Sequence, residues 1–214
     1  LFELSRLDVH VARKLSTADG EAALLLADPT EVDCEPDVDW HFELRTALHA
    51  EGRQWYLDKG LLRFMLADLL RRDDKVCDFG AFGGHYSGWL NDTGLVTAFA
   101  FDGQPAVEEL TSGAVVHARL DDVELDVGLC DVVLCLEVLE HIPRAHEGVA
   151  LRNLGKHARR ALVASWAPPW VPGPGHVNQR TQQEARGAIE NVTGLVEDED
   201  LTAQARARAE LSWV

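Results

Sequence analysis

From Lys75 onward, short apolar runs alternate with stretches of helical composition, and this alternation is the main signal in the chain. KVCDFG (75–80) is an apolar run ending in Asp and Gly, and GGHYSGWLNDTG (83–94) predicts a helix that stops near Gly94. LVTAFAFDG (95–103) predicts a second strand, and QPAVEELTSG (104–113) a second helix with Pro105 near its first turn. AVVHARL (114–120) predicts a third strand, and CDVVLCLEVLEHI (130–142) holds a fourth that ends near Leu136 or Glu137. A helix over about Glu147–His157 then leads into RALVASWA (160–167), the fifth strand. Strands alternating with helices predict an α/β fold: a doubly wound, mostly parallel sheet with helices on both faces.

Upstream, the pattern changes. From His41 to Leu70 apolar residues, among them Leu44, Leu48, Trp55, Leu62, Leu66 and Leu69, recur largely at three- and four-residue spacing, which predicts helix. Gly60 marks an expected break in it. Residues 1–38 are mixed and turn-rich, so residues 1–40 read as an irregular or helical extension preceding a domain over 41–214.

A formal charge of −16 repels phosphate backbones and anionic lipid surfaces, which argues against nucleic-acid and membrane partners. No apolar run approaches the roughly 20 residues that span a bilayer, and no secretory leader is recognised, so a cytoplasmic location is expected. Cys34, Cys77, Cys130 and Cys135 form no C-x-x-C pair, and reduced thiols are expected, with no metal site.

In open parallel sheets, ligands bind beyond the carboxyl ends of the strands, and three segments place polar residues there. The first is VCDFGAFGGHYS, where Gly80, Gly83 and Gly84 let the backbone approach a ligand and Asp78 can accept from an ammonium group. Neither G-x-G-x-x-G nor G-x-x-x-x-G-K-[ST] is present, which disfavours dinucleotides and nucleoside triphosphates. The second is AFAFDG, where Asp102 can take both hydroxyls of a ribose or cap the following helix. The third is CDVVLCLEVLEHIP, with Glu137, Glu140 and His141 at or beyond the strand end. Taken alone, Glu140 and His141 read as part of a solvated loop.

Together these segments resemble the class I S-adenosylmethionine (SAM)-dependent methyltransferases over roughly residues 55–200. CDFGAFGG is similar to their glycine-rich first motif, AFDG to the acidic end of their second strand, and CDVVLCLEVLEHIP to their fourth-strand motif. The resemblance implies SAM as cofactor and a sheet ordered 3-2-1-4-5-7-6. It implies that Asp78, Gly80, Ala81 and Gly84 line the methionine end, that Asp102 and Gly103 hold the ribose, and that Asp121 contacts adenine. Glu137 would sit near the methyl group, and Tyr56 would close over the cofactor. Phe82 stands where the family's D-x-G-x-G-x-G pattern has its middle glycine. After the strand-like VTGLVEDE (192–199) and the helical LTAQARARAEL (201–211), no residues remain for a seventh strand, so the expected order is 3-2-1-4-5 plus strand 6.

The Pro- and Gly-rich loop SWAPPWVPGPGHVNQRTQQE (165–184) carries Trp166, His176 and Asn178, which with His141 are the expected acceptor-binding residues. Glu137 and His176 are the expected catalytic pair, while a backbone hydrogen bond that merely holds the loop is the competing role for His176. A small-molecule acceptor is expected first and a protein side chain second; oligomeric state is not legible. A methyltransferase-fold scaffold without turnover and, less well supported, an NAD-dependent oxidoreductase are the alternatives.

Overall fold

The computed structural model describes residues 9–14 and 57–210. Its elements are β1 (Val9–Lys14), α1 (Lys59–Phe64), β2 (Lys75–Phe79), α2 (His85–Asp92), β3 (Thr97–Asp102), α3 (Val107–Leu110), β4 (Val116–His117), β5 (Cys130–Cys135), α4 (Glu147–His157), β6 (Ala158–Ser165), α5 (Gln182–Thr193), β7 (Leu195–Glu197) and α6 (Glu199–Arg208). A π-helical turn, Met65–Leu69, prolongs α1. The strands form one sheet ordered β4-β3-β2-β5-β6-β1-β7.

The central strands are buried on both faces, and their apolar residues divide by parity. Cys77, Phe79, Val133, Cys135 and Leu162 join a core with α4 and α5, built on Leu151, Leu154 and Ile189. Val76, Val132, Leu134 and Val163 join the opposite core, with Leu61, Leu62 and Phe64 of α1, Leu90 of α2 and Leu201 of α6. Side chains alternate across a strand, so a strand with helices on both sides must be apolar at nearly every position. This is the doubly wound architecture expected from the alternation of runs.

Two expectations are corrected. The missing strand is present, because β1, from the segment read as irregular, lies between β6 and β7 and runs antiparallel to both. It occupies the place that the resemblance gives to a seventh strand. Val9 and Val11 are fully buried, and His10, 3% exposed, is paired with Glu197 at 3.1 Å. The side of β1 facing β6 matches Val11 to Val163, and the side facing β7 matches Arg13 to Val196. Pairing with residues as distant as Ala161–Ser165 and Leu195–Glu197 left no local trace in VHVARK. Secondly, Cys77 and Cys130 are joined in a disulfide, while Cys135 stays free and buried, so the expected reduced state is wrong for the first two. They lie on adjacent strands, which a separation of 53 residues conceals. Gly60 lies in the first turn of α1, which Asp58 caps by accepting from Leu61 N–H at 2.7 Å, and the helix expected before it falls outside the described residues. Cys34 and residues 41–56 lie outside the described residues.

Among the described residues, no helix is long and apolar enough to cross a membrane.

If β1 is a structural strand of the core, Val11→Ala should cost about 2 kcal/mol, the scale for truncating a fully buried aliphatic side chain. In a domain of this size that lowers Tm by roughly 5 °C. Calorimetry reads the shift, with the exposed Val116→Ala as a control that should stay within about 0.5 kcal/mol.

Candidate active site

β2, β3 and β5 run in parallel, so their carboxyl ends open onto one edge of the sheet. Asp78 and Asp102, near the ends of β2 and β3, come together there, with Glu137 just beyond β5.

Asp78 is almost fully buried and accepts from Ser87 Oγ of α2 at 2.9 Å. Burial, reinforced by the nearby Asp102 charge, raises its pKa to about 7 against the pull of Ser87. At neutral pH this carboxyl is therefore poised between its two forms, and a cation placed beside it would ionise it.

The glycine turn is tied to β3 by its backbone. Gly80 N–H and Ala81 N–H both donate to Phe101 O, at 2.8 and 3.0 Å. Gly80 has φ +76° and passes so close to Val138 that a Cβ would lie 2.1 Å from Val138 Cγ2. Only glycine meets both conditions. Gly84 ends the turn as the N-cap of α2, also left-handed. Phe82, at the family's middle-glycine position, takes the left-handed conformation a glycine would, with φ +54°, and packs on the cluster of Ala81, Ala100, Val107 and Val115.

Asp102 joins the two loops. Its Oδ2 accepts from Phe82 N–H and its Oδ1 from Gln104 N–H, each at 2.8 Å. Burial raises its pKa while the two amides pull the other way. The expected cap on the following helix is not formed, since Ala106 is the N-cap of α3 and receives no side-chain hydrogen bond; Asp102 instead ties the two loops, and each of its oxygens keeps a second lone pair. Gly103 follows, 3.8 Å from Arg119 Cγ by the position its Cβ would take.

Beyond β5 the chain turns sharply at Glu137, a non-glycine residue with φ +56°. Ser165 at the end of β6 clamps it twice: Ser165 Oγ accepts from Glu137 N–H at 2.7 Å and donates to Glu137 Oε1 at 2.6 Å. Glu140 is not solvated, as its sequence suggested, but fully buried. Burial and then the Glu137 charge hold its pKa well above the usual carboxylate range. His141 and His176 meet edge to face with ring centroids 4.9 Å apart. Burial, then the neighbouring His176, lowers the His141 pKa to about 4.

The other expected residues divide. Asp121 is held by Arg119 and by His146 Nδ1 at 2.8 Å, and although burial opposes it, these partners keep its pKa low. Trp166 and Asn178 do not line an open wall. Trp166, 1% exposed, donates from Nε1 to Asn178 O at 2.6 Å, and Asn178 Nδ2 donates to Glu147 Oε2 at 2.8 Å. Arg180 grips the same Glu147 through both oxygens. Trp166, Asn178 and Arg180 thus anchor the Pro-rich loop to α4, and for Trp166 and Asn178 this inward bonding replaces the expected acceptor contact. The loop bond foreseen for His176 is present, from Nδ1 to Val171 O at 3.3 Å. Tyr56 lies outside the described residues. Sequence reasoning passed over Tyr86, whose hydroxyl accepts from Asp58 N–H at 2.8 Å and lies within electrostatic reach of Asp78 and Glu137. It sits two residues past the glycine turn, where only the turn drew notice.

A family model described as a methyltransferase domain matches residues 49–201. The chain belongs to the methyltransferase domain family. Solved structures agree on the fold: magnesium protoporphyrin IX methyltransferase of Synechocystis PCC 6803 with bound S-adenosylhomocysteine (SAH) is 21% identical, covering 72% of this chain and 84% of its own, with a TM-score of 0.51. A TehB-like SAM-dependent methyltransferase of Corynebacterium glutamicum is 17% identical over 72% of this chain and 80% of its own, with a TM-score of 0.54. No curated protein matches. The methyltransferase fold accounts for the sheet edge at which Asp78, Asp102 and Glu137 gather.

Gly80→Ala should destabilise this methyltransferase domain by at least about 2 kcal/mol, combining left-handed strain with the Val138 clash. Gly88→Ala, in mid-α2 with nothing near its Cβ position, should instead gain about 0.5–1 kcal/mol. Urea denaturation of the two variants distinguishes a required turn glycine from an incidental one.

Proposed function

We propose that this methyltransferase domain binds SAM across the ends of β2 and β3 and moves its methyl group to a small-molecule acceptor in the space beside Glu137. One observation carries the reading: a buried carboxyl group, Asp78, and a half-buried one, Asp102, both with raised pKa values, stand at adjacent strand ends, joined by a glycine turn. Such a pair suits a ligand with an ammonium at one end and a ribose at the other.

SAM supplies an electrophilic methyl carbon on a sulfonium, so the protein's task is to bind, align and exclude water. Asp78 pairs with the ammonium and gives up its proton on doing so. Asp102 takes the ribose hydroxyls on lone pairs not used by Phe82 and Gln104. Gly80 lets the turn lie flat against the ligand. Glu137, fixed by the Ser165 clamp, and His176 flank the acceptor, and Glu137 accepts its proton when one is lost. The negative charge of the chain, −16 overall, supports a cationic cofactor and a small acceptor over a nucleic acid.

The sign of the pH dependence follows from Asp78. Below its pKa of about 7 the carboxyl is neutral and pairs poorly, and above it the carboxylate is ready. Affinity for SAH should therefore rise from about pH 5.5 to 7, by up to about tenfold per unit, with proton release on binding. Titration calorimetry in buffers of different ionisation enthalpy measures both quantities. Asp78→Asn should flatten the profile, and an unchanged slope in that variant would remove Asp78 from the ammonium site.

A further inference from the structure

Glu140, His141 and His176 each offer one ligand atom, and the three atoms lie within 4.8 Å of one another. Glu140 is 0% exposed, and neither of its carboxyl oxygens makes a full hydrogen bond among the described residues, although Glu137 and the backbone N–H groups of Glu140 and Ala167 lie near enough to act on its ionisation. A buried carboxyl group left in this state costs several kcal/mol unless something supplies its missing contacts.

The histidines are held as metal ligands usually are. Nδ1 of His141 lies 3.1 Å from Gly175 O, and Nδ1 of His176 lies 3.3 Å from Val171 O. A carbonyl only accepts, so each Nδ1 carries the hydrogen and each Nε2 the lone pair. The His176 ring lies face-on against Gly173: a Cβ there would come within 2.3 Å of Nε2 and 2.5 and 2.7 Å of the adjoining ring carbons. Its in-plane lone pair is thereby left clear of that contact.

The loop brings these groups into register. Val177 N–H and Asn178 N–H both donate to Glu140 O, at 2.8 and 2.9 Å, which fixes His176 beside the carboxylate. The Trp166 and Glu147–Arg180 anchors hold the same loop from beneath. The arrangement is built before any ion arrives.

We propose that Glu140, His141 and His176 form a divalent metal site, with the two-imidazole, one-carboxylate donor set suited to Zn²⁺, Mn²⁺, Fe²⁺ or Co²⁺. The cation would supply the missing partner of the Glu140 carboxyl group, which would release its proton to solvent on ligating. Oxygen-only cations such as Mg²⁺ fit this nitrogen-rich set less well.

The site can be tested without SAM or turnover. The full chain is stripped with EDTA and dialysed, and Zn²⁺, Co²⁺ and Mg²⁺ are titrated by calorimetry, with visible absorption recorded for Co²⁺. One equivalent of Zn²⁺ or Co²⁺ should bind, with a Co²⁺ ligand-field band and a raised Tm. Binding should weaken at least tenfold in His176→Ala and in Glu140→Gln, each checked for folding by circular dichroism. The exposed His117→Ala should bind as the parent does. The proposal is overturned if the folded parent shows no saturable binding, or if His141→Ala/His176→Ala binds undiminished. Because no cofactor is present, failure here leaves the SAM reading intact.

Discussion

Two backbone amides, from Phe82 and Gln104, converge on the carboxylate of Asp102, and the geometry of the cleft rests on that convergence. Hydrogen bonds to a charged group contribute roughly 1.5–3 kcal/mol each, about twice a neutral bond. Here they fasten the turn after β2 to the turn after β3. Phe101 O, which receives Gly80 and Ala81, adds a second fastening one residue earlier. The separation of Asp78 from Asp102 is thus set by the sheet and its turns, without relying on a flexible side chain. A ligand that meets both carboxylates finds them already positioned, with little ordering cost left to meet on binding.

Farther from the cleft, non-local contacts hold the rest. β1 fills the space between β6 and β7, so both outer strands keep a paired neighbour and Val9 and Val11 enter the core beneath α6. Thr202 Oγ1 of α6 receives Val11 N–H at 3.0 Å, and Arg206 Nε donates to Val9 O at 2.9 Å, which ties the helix to the strand. On the acceptor side, Glu147 is the common partner of Arg180 and Asn178, so the loop after β6 is bound to α4 despite its four prolines. Ser165 at the end of β6 then reaches back to Glu137, linking the strand that carries the loop to the residue nearest the proposed chemistry.

The central alternation of strands and helices, and the placement of Asp78, Gly80, Asp102 and Glu137, were legible in the sequence because they depend on local pattern. Apolar runs ending in Asp or Gly mark strand ends wherever the chain later goes. What was not legible depends on which distant segments meet. VHVARK holds too few residues to declare itself a strand until Leu162 and Leu195 are beside it. Glu140 looks like a solvated loop residue until 165–181 folds over it. Trp166 and Asn178 have the chemistry of binding residues, but their hydrogen bonds turn inward. Cys77 and Cys130 become partners only once β2 and β5 are neighbours.

The most direct test of the cleft is the affinity of SAH for the parent protein and for Asp102→Ala, measured by titration calorimetry with folding verified by circular dichroism. The account predicts saturable binding by the parent and a loss of at least tenfold in the variant, as two hydroxyl contacts and the fastening of the turn disappear together. Equal affinity in the two folded proteins, or no binding by the parent, would contradict it.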